Sequence, residues 1–350
     1  MERLTNEVHL DLTVDESELI EGATEVVKSI RPDWPVDQFR FKVFTNGITN
    51  KLVGVWYPDH YNEMVLVRVY GHKTDLLINR KDETRNIRIL HRAGYTHSLY
   101  ATFNNGLAYE FIQGDILTVE NVRQPDVYWL VAKRMAQMHK LNPNLPDTGK
   151  EPIIWEKTEK FMSIMPKEFD DPEKQLRFEN LVAPYHVLEN EYTFLKAVLP
   201  KLNNPVVFAH NDLLLGNILY NKKENTVTFI DFEYTGYNYQ AFDIANHFAE
   251  FVGIEMPDYA LYPDETFQRS WIRIYLQAYR ETSNVSEDDV NVLYEHVRKF
   301  LLLSHFFWGC WSLIQSKHSS IDFDFLQYAS IRFKEYFHRK DSLIEKFENC

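Results

Sequence analysis

The stretch VVFAHNDLLLGNILYNKKENTVTFIDFEY, Val206–Tyr234, sets His210, Asn211, Asp212 and Asn217 between apolar runs and returns to an aspartate at position 231. Val206–Phe208, Ile218–Tyr220 and Val227–Ile230 read as short strands. The turn NKKEN, residues 221–225, joins the second to the third, so these two are expected to pair antiparallel. The open end of that hairpin should then bring Asn217, just before one strand, near Asp231, just after the other. Asp212 precedes Asn217 by five residues in the same loop. Polar side chains between buried strands must satisfy one another or serve a ligand. Each of these residues is also an ordinary turn former, but three converging oxygen-bearing side chains exceed what a turn requires.

A D-x-x-x-x-N loop, a hairpin and a D-F-x sequence form the arrangement that phosphoryl transfer uses. Asp212 would accept the proton of an attacking alcohol, and Asn217 and Asp231 would hold Mg²⁺. That ion takes oxygen ligands and leans on substrate phosphates. His210 and Asn211 are expected to support the loop.

Composition narrows the alternatives. The chain has 350 residues and a formal charge of −13, from 38 basic and 51 acidic side chains. It contains no dense Lys/Arg run, so nucleic acid is not an expected partner, and a small cationic substrate fits the balance better. Two cysteines, Cys310 and Cys350, supply neither a disulfide framework nor metal-ligand spacing. The opening MERLTNEVHLDLTVDE is polar and acidic, unlike a secretory or transit sequence. The longest apolar run, Phe300–Ile314, is short for a bilayer span. A cytoplasmic protein without membrane insertion is expected; whether it pairs as a homodimer is left open.

Upstream, FRFKVF (39–44), KLVGVWY (51–57) and MVLVRVY (64–70) read as strands, and Asp75–Ala93 as a helix stopping before Gly94. Leu99–Phe103 and Leu107–Phe111 flank a hairpin turn at Asn104-Asn105-Gly106. After residues 113–115 helices dominate, at about 127–140, 155–165, 185–199, 265–282, 288–317 and 323–338. No Walker A sequence occurs, which excludes a P-loop enzyme. The turn TNGITN between the first two strands can instead act as a flap, with Gly47 allowing close approach to phosphate; a plain hairpin is the alternative. Arg68, alone in an apolar strand, needs a partner. Glu83 on the following helix is the expected one, either clamping nucleotide phosphates or forming a structural bridge.

HNDLLLGN (210–217), IDFEY (230–234) and FDIANHFAE (242–250), in that order, resemble the choline/ethanolamine kinase family over roughly residues 38–338. The resemblance implies an α+β, bilobal protein-kinase-like fold. A β-rich N-terminal nucleotide-binding lobe would occupy residues 1–113. A larger, mostly helical C-terminal lobe, 114–350, would carry the catalytic loop and an amino-alcohol pocket. ATP and Mg²⁺ are the implied cofactors. The segment NGITNKL resembles the family's phosphate loop, which assigns Asn46, Gly47, Thr49 and Asn50 to nucleotide binding with Arg68 and Glu83. The backbone at Phe111, Ile112 and Gln113 would meet the adenine.

By the same likeness, Tyr234, Glu250, Trp308, Trp311 and Tyr328 line the pocket for a small amino alcohol. Trp308 and Trp311 share a helix face, and aromatic rings with a carboxylate attract a small cation; ordinary core packing is the alternative. Asp243, Asn246 and Glu250 fall on one face, with Asp243 expected to cap its helix. The segment after Glu250, FVGIEMPDYALYP, carries Val252, Gly253 and Ile254 where choline-preferring members are richer in aromatics. A primary ammonium has N–H donors to satisfy rather than needing a cage. Phosphorylation of ethanolamine, the first step of phosphatidylethanolamine synthesis, is therefore expected, with choline kinase or dual specificity as the alternative. A protein kinase is the weaker alternative, since the glycine-rich loop, VAIK lysine, DFG glycine and APE segment are missing.

Overall fold

The computed structural model describes residues 7–44, 50–71, 74–143, 150–319 and 321–347. The chain divides into two compact units, one of Met1–Asp115 with Leu219–Glu233, the other of Ile116–Ile218 with Tyr234–Cys350. The fold is α+β, with a β-sheet unit and a larger helical one.

The first unit is built on a six-stranded sheet. Its strands are β1 (Val8–Leu10), β2 (Arg40–Phe44), β3 (Asn50–Trp56), β4 (Val65–Tyr70), β5 (Leu99–Phe103) and β6 (Gly106–Glu110). They lie in the order β1-β5-β6-β4-β3-β2, with only the β1–β5 pair parallel among the described pairings. Alternation along β4 decides what the sheet can carry. Val65, Val67 and Val69 are fully buried in a core shared with Ala23, Val26 and Val27 of helix α1 (Leu19–Ile30). Arg68 therefore projects from the other face, where Glu83 of helix α2 (Arg80–Arg92) meets it.

Helix α2 begins five residues later than its periodicity suggests. Thr74–Leu76 forms a 3₁₀ turn, and the Asn79 side chain caps the helix by accepting from the Lys81 and Asp82 amides. Gly94, at φ +76°, closes the other end as expected. Where β6 crosses β4, a Cβ on Gly106 would lie 2.2 Å from the Arg68 carbonyl oxygen, so only glycine permits that approach. Helix α1 and strand β1 were not anticipated from the sequence: the buried stripe of α1 is only Ala23, Val26 and Val27 in an acidic segment.

Strands Ile218–Asn221 and Thr226–Phe229 are neighbours, as the NKKEN turn predicts, and residues 219–233 group with the first unit.

In the second unit, α3 (Pro125–His139), α4 (Ile153–Ile164), α5 (Pro172–Leu181), α6 (Tyr185–Val198), α7 (Gln240–Ala249), α8 (Glu265–Arg280), α9 (Glu287–His318) and α10 (Phe325–Phe347) follow in order. Helix α9 is the core element. A Ser286/Asp289 capping box starts it, and residues 299–315 are all buried. Helix α5, which buries no residue and so shows no apolar stripe, and the strand Gly236–Tyr239 were not expected. That strand pairs antiparallel with Val206–Ala209, matching Gly236 to Ala209 and Tyr239 to Val206. The pairing sets the start of the 210–217 loop. No helix among the described residues is long and apolar enough to cross a membrane.

Candidate functional site

In the first unit the expected Arg68–Glu83 pair is present and belongs to a larger buried network. Arg68 Nη1 donates to Asp231 Oδ1 at 3.0 Å, and Arg80 Nη1 donates to Glu83 Oε2 at 2.9 Å and to Glu233 Oε2 at 3.1 Å. Glu83 thus bridges two guanidiniums. Burial opposes the charge on Arg68, but Asp231, then Tyr109 and Glu233, outweigh it and raise its pKa. Burial lowers the pKa of Arg80, with Glu233 opposing.

Carboxylate oxygens of Glu83, Asp231 and Glu233 lie within 4.8 Å of one another. Three carboxylates therefore face two guanidiniums, with one negative charge to spare. Asp231 keeps 29% exposure, against 0% for Glu83 and 4% for Glu233, so it is the member of the trio open to a ligand. Its backbone is left-handed, φ +62°, a conformation that Asp tolerates better than most residues but that still stores strain. An accessible carboxylate oxygen such as that of Asp231 is the kind of donor Mg²⁺ takes.

The remaining residues expected at a nucleotide site are placed unevenly. Asn46, Gly47 and Thr49 lie outside the described residues. Asn50 opens β3 opposite Tyr70, and its side chain is likewise outside them. Phe111 donates its amide to the Met64 carbonyl at 3.2 Å, and its ring meets Tyr61 edge-on at 5.7 Å. Ile112 is half-buried, while the exposed Gln113 side chain bonds to Asn62.

In the second unit, Asp212 and Asn217 come together. Asn217 Nδ2 donates to the Asp212 carbonyl at 2.9 Å and reaches its Oδ2 at 3.5 Å. Asn217 is buried and Asp212 half-buried. The loop before them is fixed by Asn211, at φ +69°. Asn211 Nδ2 donates to the Tyr234 carbonyl at 3.0 Å, and its Oδ1 accepts from Asn238 at 2.8 Å.

Asp243 corrects the expectation of a helix cap. The residue before α7 is Tyr239, and Asp243 sits inside the first turn with both oxygens committed elsewhere. Oδ1 accepts the Asn211 amide at 2.7 Å, and Oδ2 accepts the His210 amide at 3.0 Å and faces His139 Nε2 at 2.9 Å. Burial works against its charge, but the His139 hydrogen bond and the neighbouring donors hold its pKa below the usual carboxylate value. Helix α7 thus carries the anchor that orients the Asp212 loop.

His247, one turn later, faces the Leu213 carbonyl through Nδ1 at 3.0 Å. Burial pushes its pKa down to about 4, with the Leu213 contact opposing. The unfolded chain then binds a proton near pH 6.5 that the folded chain refuses until about pH 4. This contribution is complete above pH 6.5 and is lost as pH falls through that window. One unit of separation is worth about 1.4 kcal/mol. Unfolding at pH 7.5 and at pH 5 should therefore show a smaller acid loss in His247→Gln, by roughly 2 kcal/mol; an unchanged difference contradicts this account.

Among the residues assigned to the amine pocket, the rings of Tyr234 and Trp308 stand 5.2 Å apart and those of Trp308 and Trp311 5.6 Å apart, both edge-on. Trp308 Nε1 donates to Asn246 Oδ1 at 2.7 Å, which also accepts from Ser304 Oγ at 2.8 Å. Tyr328 and Glu250 are buried beside a residue absent from the sequence reading, Arg332, which donates to Glu250 Oε1 at 3.2 Å and contacts the Tyr328 hydroxyl at 3.3 Å. Burial raises the pKa of Glu250, with Arg332 opposing.

Arg80, Glu233, Asp243 and Arg332 were missed as site residues. For Arg332 a signal existed: it falls on the apolar stripe of α10 with Ala329, Phe333 and Tyr336, where an unpaired cation is unfavourable.

Comparison with known proteins follows from this geometry. A family model described as choline/ethanolamine kinase matches residues 41–337. Ethanolamine kinase 1 of Homo sapiens is 43% identical over 341 residues, covering 95% of this chain and 75% of the relative. Ethanolamine kinase of Drosophila melanogaster is 40% identical, covering 93% and 78%. Among solved structures, a Plasmodium vivax ethanolamine kinase matches with TM-score 0.82 and 29% identity over 95% of this chain and 90% of that one. A choline kinase from Cryptosporidium parvum gives 0.78 and 26% over 93% and 97%.

Proposed function

The chain belongs to the choline/ethanolamine kinase family, and from that premise we propose that it transfers the γ-phosphoryl group of ATP to the hydroxyl of ethanolamine, giving phosphoethanolamine and ADP. The observation that carries the choice of amine is the 40–44% identity, over more than nine-tenths of this chain, to relatives named ethanolamine kinase. Asp212 orients the substrate hydroxyl and takes its proton as the new P–O bond forms. Asn217 and Asp231 are the oxygen ligands for Mg²⁺, which when bound neutralises charge on the transferring group. Arg68, held by Glu83, and the 46–52 segment bind phosphate oxygens, and the backbone at 111–113 meets the adenine.

Glu250 accepts from the substrate ammonium, while Tyr234, Trp308, Trp311 and Tyr328 shape the space around it. The edge-on packing of Trp308 against Trp311 and Tyr234 also suits a quaternary ammonium. Choline, or both amines, is accordingly the second reading. Steady-state kinetics with Mg·ATP decides between them. We expect kcat/KM for ethanolamine to exceed that for choline at least tenfold; the reverse order would establish the choline reading.

A cytoplasmic setting is part of the same proposal. It is supported by the cysteine usage, two in 350 residues, which gives no disulfide framework of the kind small secreted domains carry.

A further inference from the structure

Arg332 lies on α10, is buried to 2% exposure and has no assigned role. Its guanidinium joins groups from three elements. Nη1 donates to Glu250 Oε1 and contacts the Tyr328 hydroxyl, and Nη2 donates to Ser304 Oγ at 3.1 Å on α9. Ser304 in turn donates to Asn246 Oδ1, the same atom that receives Trp308 Nε1. One cation thereby links Glu250 and Tyr328 directly, and Trp308 through a chain of two hydrogen-bonded side chains.

We propose that Arg332 is the positioning residue of the amine pocket, fixing the Glu250 carboxylate in its charged form and in one orientation. It does so without touching substrate. The inference rests on the reading that Glu250, Tyr328 and Trp308 line that pocket.

Two effects compete when an arginine stands beside a cation-binding carboxylate. Its charge weakens the pull of Glu250 on an ammonium group. Without it, however, burial is left to favour the neutral acid over the carboxylate. Burial is already the larger influence on Glu250, raising its affinity for a proton even with Arg332 in place. The second effect therefore dominates. The geometry agrees, since Arg332 occupies Oε1 and leaves Oε2 to accept an N–H. The Tyr259 phenol also acts on Arg332, and Glu335 and Arg339, which pair with each other at 2.5 Å, act in turn on that phenol. The His305 imidazole, kept neutral by burial, also faces Arg332.

The test is a kinetic series on the full chain, with thermal melts alongside. In Arg332→Gln, KM for ethanolamine should rise at least tenfold, while KM for ATP stays within twofold of wild type and kcat falls less than KM rises. Arg332→Lys keeps the charge but loses the fork, so it should recover part of the affinity, with KM about threefold above wild type. An ethanolamine KM within twofold of wild type in folded Arg332→Gln overturns the proposal. So does a fall in melting temperature and kcat with a parallel rise in both KM values, which marks a merely structural role. If Arg332→Gln does not fold, Arg332→Lys decides alone: unchanged ethanolamine KM overturns the proposal, and a selective rise supports it. The wild-type assay separates this inference from the functional reading. A wild type that rejects ethanolamine and phosphorylates another amine refutes the substrate assignment, and the same series on that amine still tests Arg332.

Discussion

Asp212→Asn should lose phosphoryl transfer by 10²- to 10⁴-fold in kcat while binding ATP within twofold of wild type. Asparagine keeps the size and one acceptor oxygen but cannot take the alcohol proton, and a positioned base contributes about that much to such a step. The scaffold should not notice the change. Asp212 is half-buried, its carbonyl 2.9 Å from the Asn217 amide stays in place, and asparagine matches the aspartate in shape. Thermal melts should therefore coincide with wild type. Retained turnover in a folded variant would remove Asp212 from the chemistry.

Asp243→Ala should fail in the opposite manner, through the scaffold. It leaves the buried His210 and Asn211 amides and the His139 ring without their acceptor. Removing one partner from a buried charged network costs about 3–5 kcal/mol, because the groups left behind stay desolvated. We expect that loss in urea or thermal unfolding, together with a fall in kcat, since the amides that Asp243 holds immediately precede Asp212. Asp243→Asn, with one acceptor oxygen in place of two, should fall between. Full stability in Asp243→Ala would mean the loop is held by other means, such as the Asn211 contacts with Tyr234 and Asn238. The two variants form a contrast: one separates chemistry from stability, the other joins them.

Why the Asp212–Asn217 contact could be read from sequence and the Asp243 contacts could not is a matter of distance along the chain. The strand–loop–hairpin stretch is local. Its strands, its turn and the five-residue interval from Asp212 to Asn217 all follow from short-range pattern, and Asn217 does meet Asp212. The Arg68–Glu83 pair was also legible, because a lone cation in a valine-rich strand must find an anion and α2 supplies one. The Asp243 role depends on amides 32 and 33 residues away. On its own helix Asp243 looks like any first-turn carboxylate, which local rules assign to a cap. Arg80 was hidden the same way, since its link to Glu233 spans 153 residues. Helix α1 escaped notice for another reason: three small buried side chains are enough to seat it on the sheet, and such a stripe is faint against acidic neighbours.

The most direct measurement is product analysis. Purified protein with Mg·ATP and ethanolamine should yield phosphoethanolamine and ADP in equimolar amounts, and Asp212→Asn under the same conditions should form both at least about 10²-fold more slowly. ADP without phosphoethanolamine, or phosphoethanolamine formed at the same rate by both proteins, would contradict the account.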